Sequence, residues 1–216
     1  MKNINIATVI KNIFSFAWEL LFIILSYSVK KELLYINAAF FLGLIIYFHK
    51  EFAISDFANS LRNIKGFWLP LLLTLISVCI MYELKSYMVN NLFWNMSQGA
   101  ISISYKSTSV FQIFIYYFTV MLLVPVAEAL FYRKYLISFK NKYIMVLTAI
   151  ASMVLLAFVH AHAIPAALEY VVMALPIVVV YMFTKNMYVS LVVHLGFCIY
   201  TNGQDLIYEI ARIWTR

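Results

Sequence analysis

Charge is what this sequence lacks most. Only 12% of its 216 residues are Asp, Glu, Lys or Arg, while 65% are hydrophobic. A soluble domain carries about 25% charged residues. A soluble globule of this size cannot hide so much apolar surface, because much of any folded surface stays in water. Acids are scarcer than bases, nine against sixteen, for a net charge of +7. The basic residues sit in short breaks between apolar runs and form no stripe interleaved with aromatics. That excludes nucleic acid as a partner and suits anionic lipid headgroups. Cysteine is reduced to Cys79 and Cys198, both inside apolar runs, which excludes a disulfide framework and a CxxC metal pair. Internal repeats, low-complexity tracts and Gly/Ser linkers are missing. So is any polar stretch long enough for a second domain, and residues 1–216 read as one membrane domain.

What is present is apolar sequence in seven runs, at about 13–29, 33–48, 67–82, 110–132, 143–160, 164–183 and 187–204. In lipid the backbone must satisfy itself, which leaves helices or a closed barrel. The runs are continuous rather than alternating, so the fold class is all-α: a polytopic transmembrane bundle of about seven spans, six to eight. The run from Ile13 to Val29 follows Lys2 and Lys11 but lacks an A-x-A exit, and reads as a retained first span. Lys and Arg orient the chain. The break 133–142 holds Arg133, Lys134, Lys140 and Lys142, and 49–66 holds Lys50, Arg62 and Lys65. Both are expected in the cytoplasm with the N-terminus and Lys185. The break 89–109 and the C-terminus are expected outside, and Lys30 and Lys31 run against this scheme. The break 49–66 reads as a short surface helix. The tail 205–216 reads as interfacial, anchored by Trp214. Pro125 is expected to kink its helix, and Pro165 and Pro176 to mark breaks.

Ionisable residues inside such runs are costly, by roughly 2.5–3.5 kcal/mol at mid-helix on insertion scales, and they mark sites. They are Glu19, Glu128, Arg133, His160, His162, Glu169 and His194. Glu19 is expected to pair within the bundle or snorkel, and Glu169 to favour a helix start. Glu128 and Arg133 stand five apart, about 140° around an α-helix, and so make no ideal pair there. Phe158 and His162 share a helical face, from which His160 is expected to point away. His194 and Cys198 share another. One Glu and two His suit two chemistries. In one, a carboxylate takes a proton from water while imidazoles orient that water and bind an oxyanion. In the other, Glu128, His162 and His194 ligate zinc. HExxH is missing, and spacing alone does not choose.

These residues fall in three stretches: Glu128-Ala-Leu-Phe-Tyr-Arg133, Phe158-Val-His-Ala-His162 and His194-Leu-Gly-Phe-Cys198. In order and spacing they resemble EExxxR, FxxxH and HxxxN of the CPBP family, the CAAX-prenyl-protease and bacteriocin-immunity (Abi) group of intramembrane proteins. The resemblance covers about residues 110–204. It implies a glutamate-dependent intramembrane endopeptidase that cuts a membrane-proximal peptide bond and needs no metal or other cofactor. Glu128 and His162 would activate water, His194 would help form the oxyanion site, and Arg133 would hold the glutamate helix. The expected setting is the cell membrane of a bacterium, with lipids and a peptide or membrane protein as partners. The expected role is bacteriocin immunity or peptide processing. Two positions depart from the pattern. Ala129 replaces the second Glu, and Cys198 replaces Asn with a weaker donor. Asn202, one turn beyond, is the nearest substitute amide. The departures favour the alternative of a non-catalytic immunity or scaffold protein. A transporter is disfavoured by small size and the missing repeats. Depth along the helices adds a tension. Glu128 lies at the level of about residues 156–157 on the next helix, so His162 is roughly 8 Å too far unless a helix tilts, kinks or unwinds.

Overall fold

Lipid leaves each backbone donor only its own helix to bond with, and the chain obeys throughout its spans. The structure, a computed structural model, describes residues 6–91, 99–106 and 108–215. The break 89–109 therefore lies partly outside the described residues, as does Lys2. Among the described residues eight helices follow in order: α1 (Ile6–Ser28), α2 (Leu33–Phe48), α3 (Ile54–Arg62), α4 (Leu69–Asn91), α5 (Val110–Tyr135), α6 (Lys142–His160), α7 (Ile164–Thr184) and α8 (Met187–Trp214). Among the described residues there is no strand, and the one β-bridge joins Ala100 to Ala161.

Among the described residues five helical stretches are long and apolar enough to cross a membrane: Leu33–Glu51, Ile64–Met88, Val110–Tyr135, Lys142–His160 and Ile164–Thr184. This multi-pass, all-α bundle matches the expected class, with two of the seven expected spans less clear. The apolar part of α1, Ile13–Ser28, is shorter. α8 is long, but Asn202, Gln204 and Asp205 dilute its apolar run. The break 49–66 does contain a short helix, α3, which has no buried residue. Pro165 opens α7, where its missing N–H has no cost, whereas Pro176 lies inside that helix rather than at a break.

Exposure follows helical spacing. α4 turns Leu69, Leu72, Leu73, Ile76 and Ile80 outward, a stripe that suits lipid. α2 buries Leu33, Asn37, Phe40, Phe41, Leu44 and Phe48, three and four residues apart, and packs along α5. α1 and α2 approach closely at Gly43, where an added Cβ would sit 2.8 Å from the Trp18 ring.

α5 departs from uniform α geometry. Thr119–Leu123 and Ala129–Tyr135 are wound as π turns, bonded five residues apart, on either side of Val124–Glu128. Pro125 has no N–H to return to Met121, and the first wide turn lies where that bond is lost. The second turns Arg133 toward Glu128.

The two ends of the bundle differ. At one, the start of α8 holds α3: Tyr188 Oη donates to Ala53 O at 2.8 Å, and Asn186 Nδ2 donates to Ser60 Oγ at 3.0 Å. At the other, α6 stops at His160 and the chain runs extended through Ala161 and Ala163. The segment 99–106 lies against it. Ile101 N donates to His160 O at 2.9 Å, and His162 N donates to Gly99 O at 2.7 Å. Gly99 has φ +98, and a Cβ there would lie 2.3 Å from that of Ala163, so only glycine brings the two backbones this close.

Candidate active site

The buried stripe of α5 contains a carboxylate. Glu128 is 3% exposed and Arg133, on the same rod, is 1% exposed. Arg133 Nη2 reaches Glu128 Oε2 at 3.4 Å. Residues five apart make a poor pair on an α-helix, whose period separates them. The π turn over Ala129–Tyr135 corrects that expectation: a turn bonded from i to i+5 stacks residues five apart on one face.

Two imidazoles from other helices close on the same carboxylate. His160 Nε2 lies 2.9 Å from Glu128 Oε1. His194 Nδ1, from α8, lies 3.4 Å from Oε2. That second approach has ion-pair distance without hydrogen-bond direction, and leaves His194 Nδ1 buried with no hydrogen-bond partner. The 2.9 Å contact is the firmer of the two. The His160 ring is held between Tyr170, with ring centres 4.8 Å apart, and Phe41, at 6.0 Å.

The histidine at the carboxylate is therefore His160, not His162. The face shared by Phe158 and His162 disappears because the helix ends at His160. Phe158 stays 40% exposed. His162 turns to α1, with Nε2 2.7 Å from Ser26 Oγ and its ring stacked on Tyr27 at 3.6 Å. The depth mismatch eases accordingly. His160 lies three or four residues beyond the level of Glu128, about 5 Å at 1.5 Å per residue, which the two side chains span. The alternative set of Glu128, His162 and His194 is not brought together, because His162 lies against Ser26 of α1.

A cavity of about 280 Å³ opens onto Glu128, Arg133, His160 and His194. Cys198 lines it. Asn202 does not reach it: its Nδ2 donates back to Cys198 O and Thr201 Oγ1, both at 3.0 Å. Much of the wall is aliphatic, with Val124, Leu156, Ile177 and, from the extended segment, Ile101 and Ile103. Asn37 of α2 and the tyrosines Tyr116 and Tyr170 bring further polar groups. Attention to ionisable residues alone passes over Asn37, although an amide in an otherwise apolar run is a visible signal.

Glu19 and Glu169 lie apart from this cavity. Tyr132 Oη donates to Glu19 Oε1 at 2.8 Å. Lys85 Nζ pairs with Glu169 Oε2 at 3.0 Å, so Glu169 takes a side-chain cation rather than a helix end as its partner.

No curated protein and no solved structure matches the chain. Residues 110–199 match the family model of the Rce1-like proteins, type II CAAX prenyl endopeptidases. That stretch, less than half of the chain, is similar to these CAAX-type proteases and carries Glu128, Arg133, His160 and His194.

Proposed function

We propose that this protein hydrolyses a membrane-proximal peptide bond with a water activated by Glu128. One observation carries the reading: two imidazoles from separate helices meet a single buried carboxylate, at 2.9 and 3.4 Å, beside a cavity. Ionisable side chains inside a membrane are costly and mark functional sites. Glu128 takes the proton from water as general base. His160, hydrogen-bonded to Oε1, orients the pair and passes the proton to the leaving amine. His194, whose ring lines the cavity, donates an N–H to the developing oxyanion. Arg133 positions Glu128. It also supplies the counter-charge a metal would otherwise bring, which favours metal-free chemistry.

The apolar wall suits a substrate with aliphatic side chains beside the scissile bond. The cavity is lined by the 99–106 segment and by the C-terminal end of α6. That end is opposite Lys50, Lys140, Lys142 and Lys185, which the positive-inside rule assigns to the cytoplasm with the N-terminus. The substrate is then a peptide or membrane protein met from the outer side. Processing of a secreted peptide, or immunity to one, fits that direction.

The test is cleavage in proteoliposomes of an internally quenched CAAX-type peptide, with and without a farnesyl group. Glu128→Gln should lower kcat by about 10³-fold or more, and His160→Ala by about 10²–10⁴. His162→Ala should stay near wild type. Equal activity of Glu128→Gln and wild type would reject hydrolysis. Cys198 at the motif's Asn position favours a second reading, a peptide-binding immunity or scaffold protein. It requires Glu128→Gln to keep the cellular phenotype intact.

A further inference from the structure

The third motif of this chain lacks its amide. Cys198 stands where the pattern has Asn, and Asn202 is turned back onto its own helix. A tetrahedral intermediate nevertheless needs donors aimed at its oxygen. We propose that Asn37, on α2 and outside the family-matched segment, supplies the missing oxyanion donor. This rests on the hydrolase reading above.

Three observations place it there. Asn37 is 4% exposed and lines the same cavity as Glu128, His194 and Cys198. Its carboxamide makes no hydrogen bond among the described residues. It also sits one turn before Phe41, whose ring packs on His160, so the stripe of α2 that carries the amide is the stripe that touches the site. A primary amide left unpartnered on a lipid-spanning helix is costly. An amide N–H₂ offers two donors without charge, the property that Cys198 lacks. The amide would thus have moved from the helix of His194 to the facing helix, keeping the chemistry while changing its source.

The experiment uses the full chain in proteoliposomes and the same quenched peptides. Asn37→Leu should lower kcat by about 10²–10³-fold with KM changed by less than about threefold, as loss of a transition-state contact requires. Asn37→Asp, which keeps the shape and loses the donors, should be as slow. Cys198→Asn in the Asn37→Leu background should restore at least about tenfold of the lost kcat, a rescue that a folding defect would not show. Wild-type kcat in Asn37→Leu, with Glu128→Gln silent, overturns the assignment and leaves the hydrolase reading standing. The assignment also falls if the loss appears in Tyr116→Phe or Tyr170→Phe instead, because a hydroxyl is then the donor. Absence of Glu128-dependent cleavage in wild type overturns both.

Discussion

Arg133 is the largest fully buried side chain among the described residues. A guanidinium there is tolerable only because Glu128 shares its burial at 3.4 Å. Breaking a buried pair by removing one partner costs about 3–5 kcal/mol, since the other charge is left uncompensated. Arg133→Met should therefore destabilise the solubilised protein by about that amount in denaturant or thermal unfolding, and restoring charge balance with Glu128→Gln should recover part of it. Recovery of stability without recovery of activity is the expected pattern for a pair with both duties. A second buried acid behaves differently. Glu19 has a neutral partner, Tyr132, so Tyr132→Phe should cost about 1–3 kcal/mol, the penalty for an acceptor left unsatisfied. It should leave cleavage per folded molecule intact, because Glu19 does not line the cavity.

Among the elements, α5 and α6 decide the site. α5 is legible as an apolar run, but its π turns are not, because helical spacing is read with a 3.6-residue period. That period separates Glu128 from Arg133, and the wide turn rejoins them. α6 shows the opposite failure. Its apolar pattern continues through Ala161 toward His162, while the helix stops at His160 because 161–163 pairs with the 99–106 segment. A partner distant in sequence sets that end. α3 is tied to the bundle more lightly, chiefly by Tyr188, whose hydroxyl donates to Ala53 O and accepts from Ala53 N. Tyr188→Phe removes both bonds, about 1–2 kcal/mol of local stability. Amide exchange over residues 53–62 should accelerate about tenfold while the core of α5 stays protected.

For the molecule as a whole, the testable feature is direction. The cavity and the 99–106 segment share one end, with Lys30 and Lys31, and the basic breaks 49–66 and 133–142 lie at the other. In intact cells a membrane-impermeant maleimide should label Lys106→Cys and leave Lys140→Cys untouched until the membrane is opened. A background carrying Cys79→Ser and Cys198→Ser removes both native thiols without touching either test position. The reverse labelling would turn the cavity to the cytoplasm and replace a secreted substrate with a cytosolic one.

Sequence alone determined the solvent and the candidates. Scarce charge and seven continuous apolar runs require lipid and helices, because only a helix satisfies its own backbone there. Costly polar residues in those runs single out Glu128, Arg133 and His194, since lipid makes each expensive. The tertiary structure decided the partners. It chose His160 over His162 by ending α6 against an extended segment, brought Arg133 to Glu128 through a π turn, and placed Asn37 from α2 on the cavity wall. Each choice depends on contacts between residues tens of positions apart or on a turn five residues wide. A local 3.6-residue period carries neither.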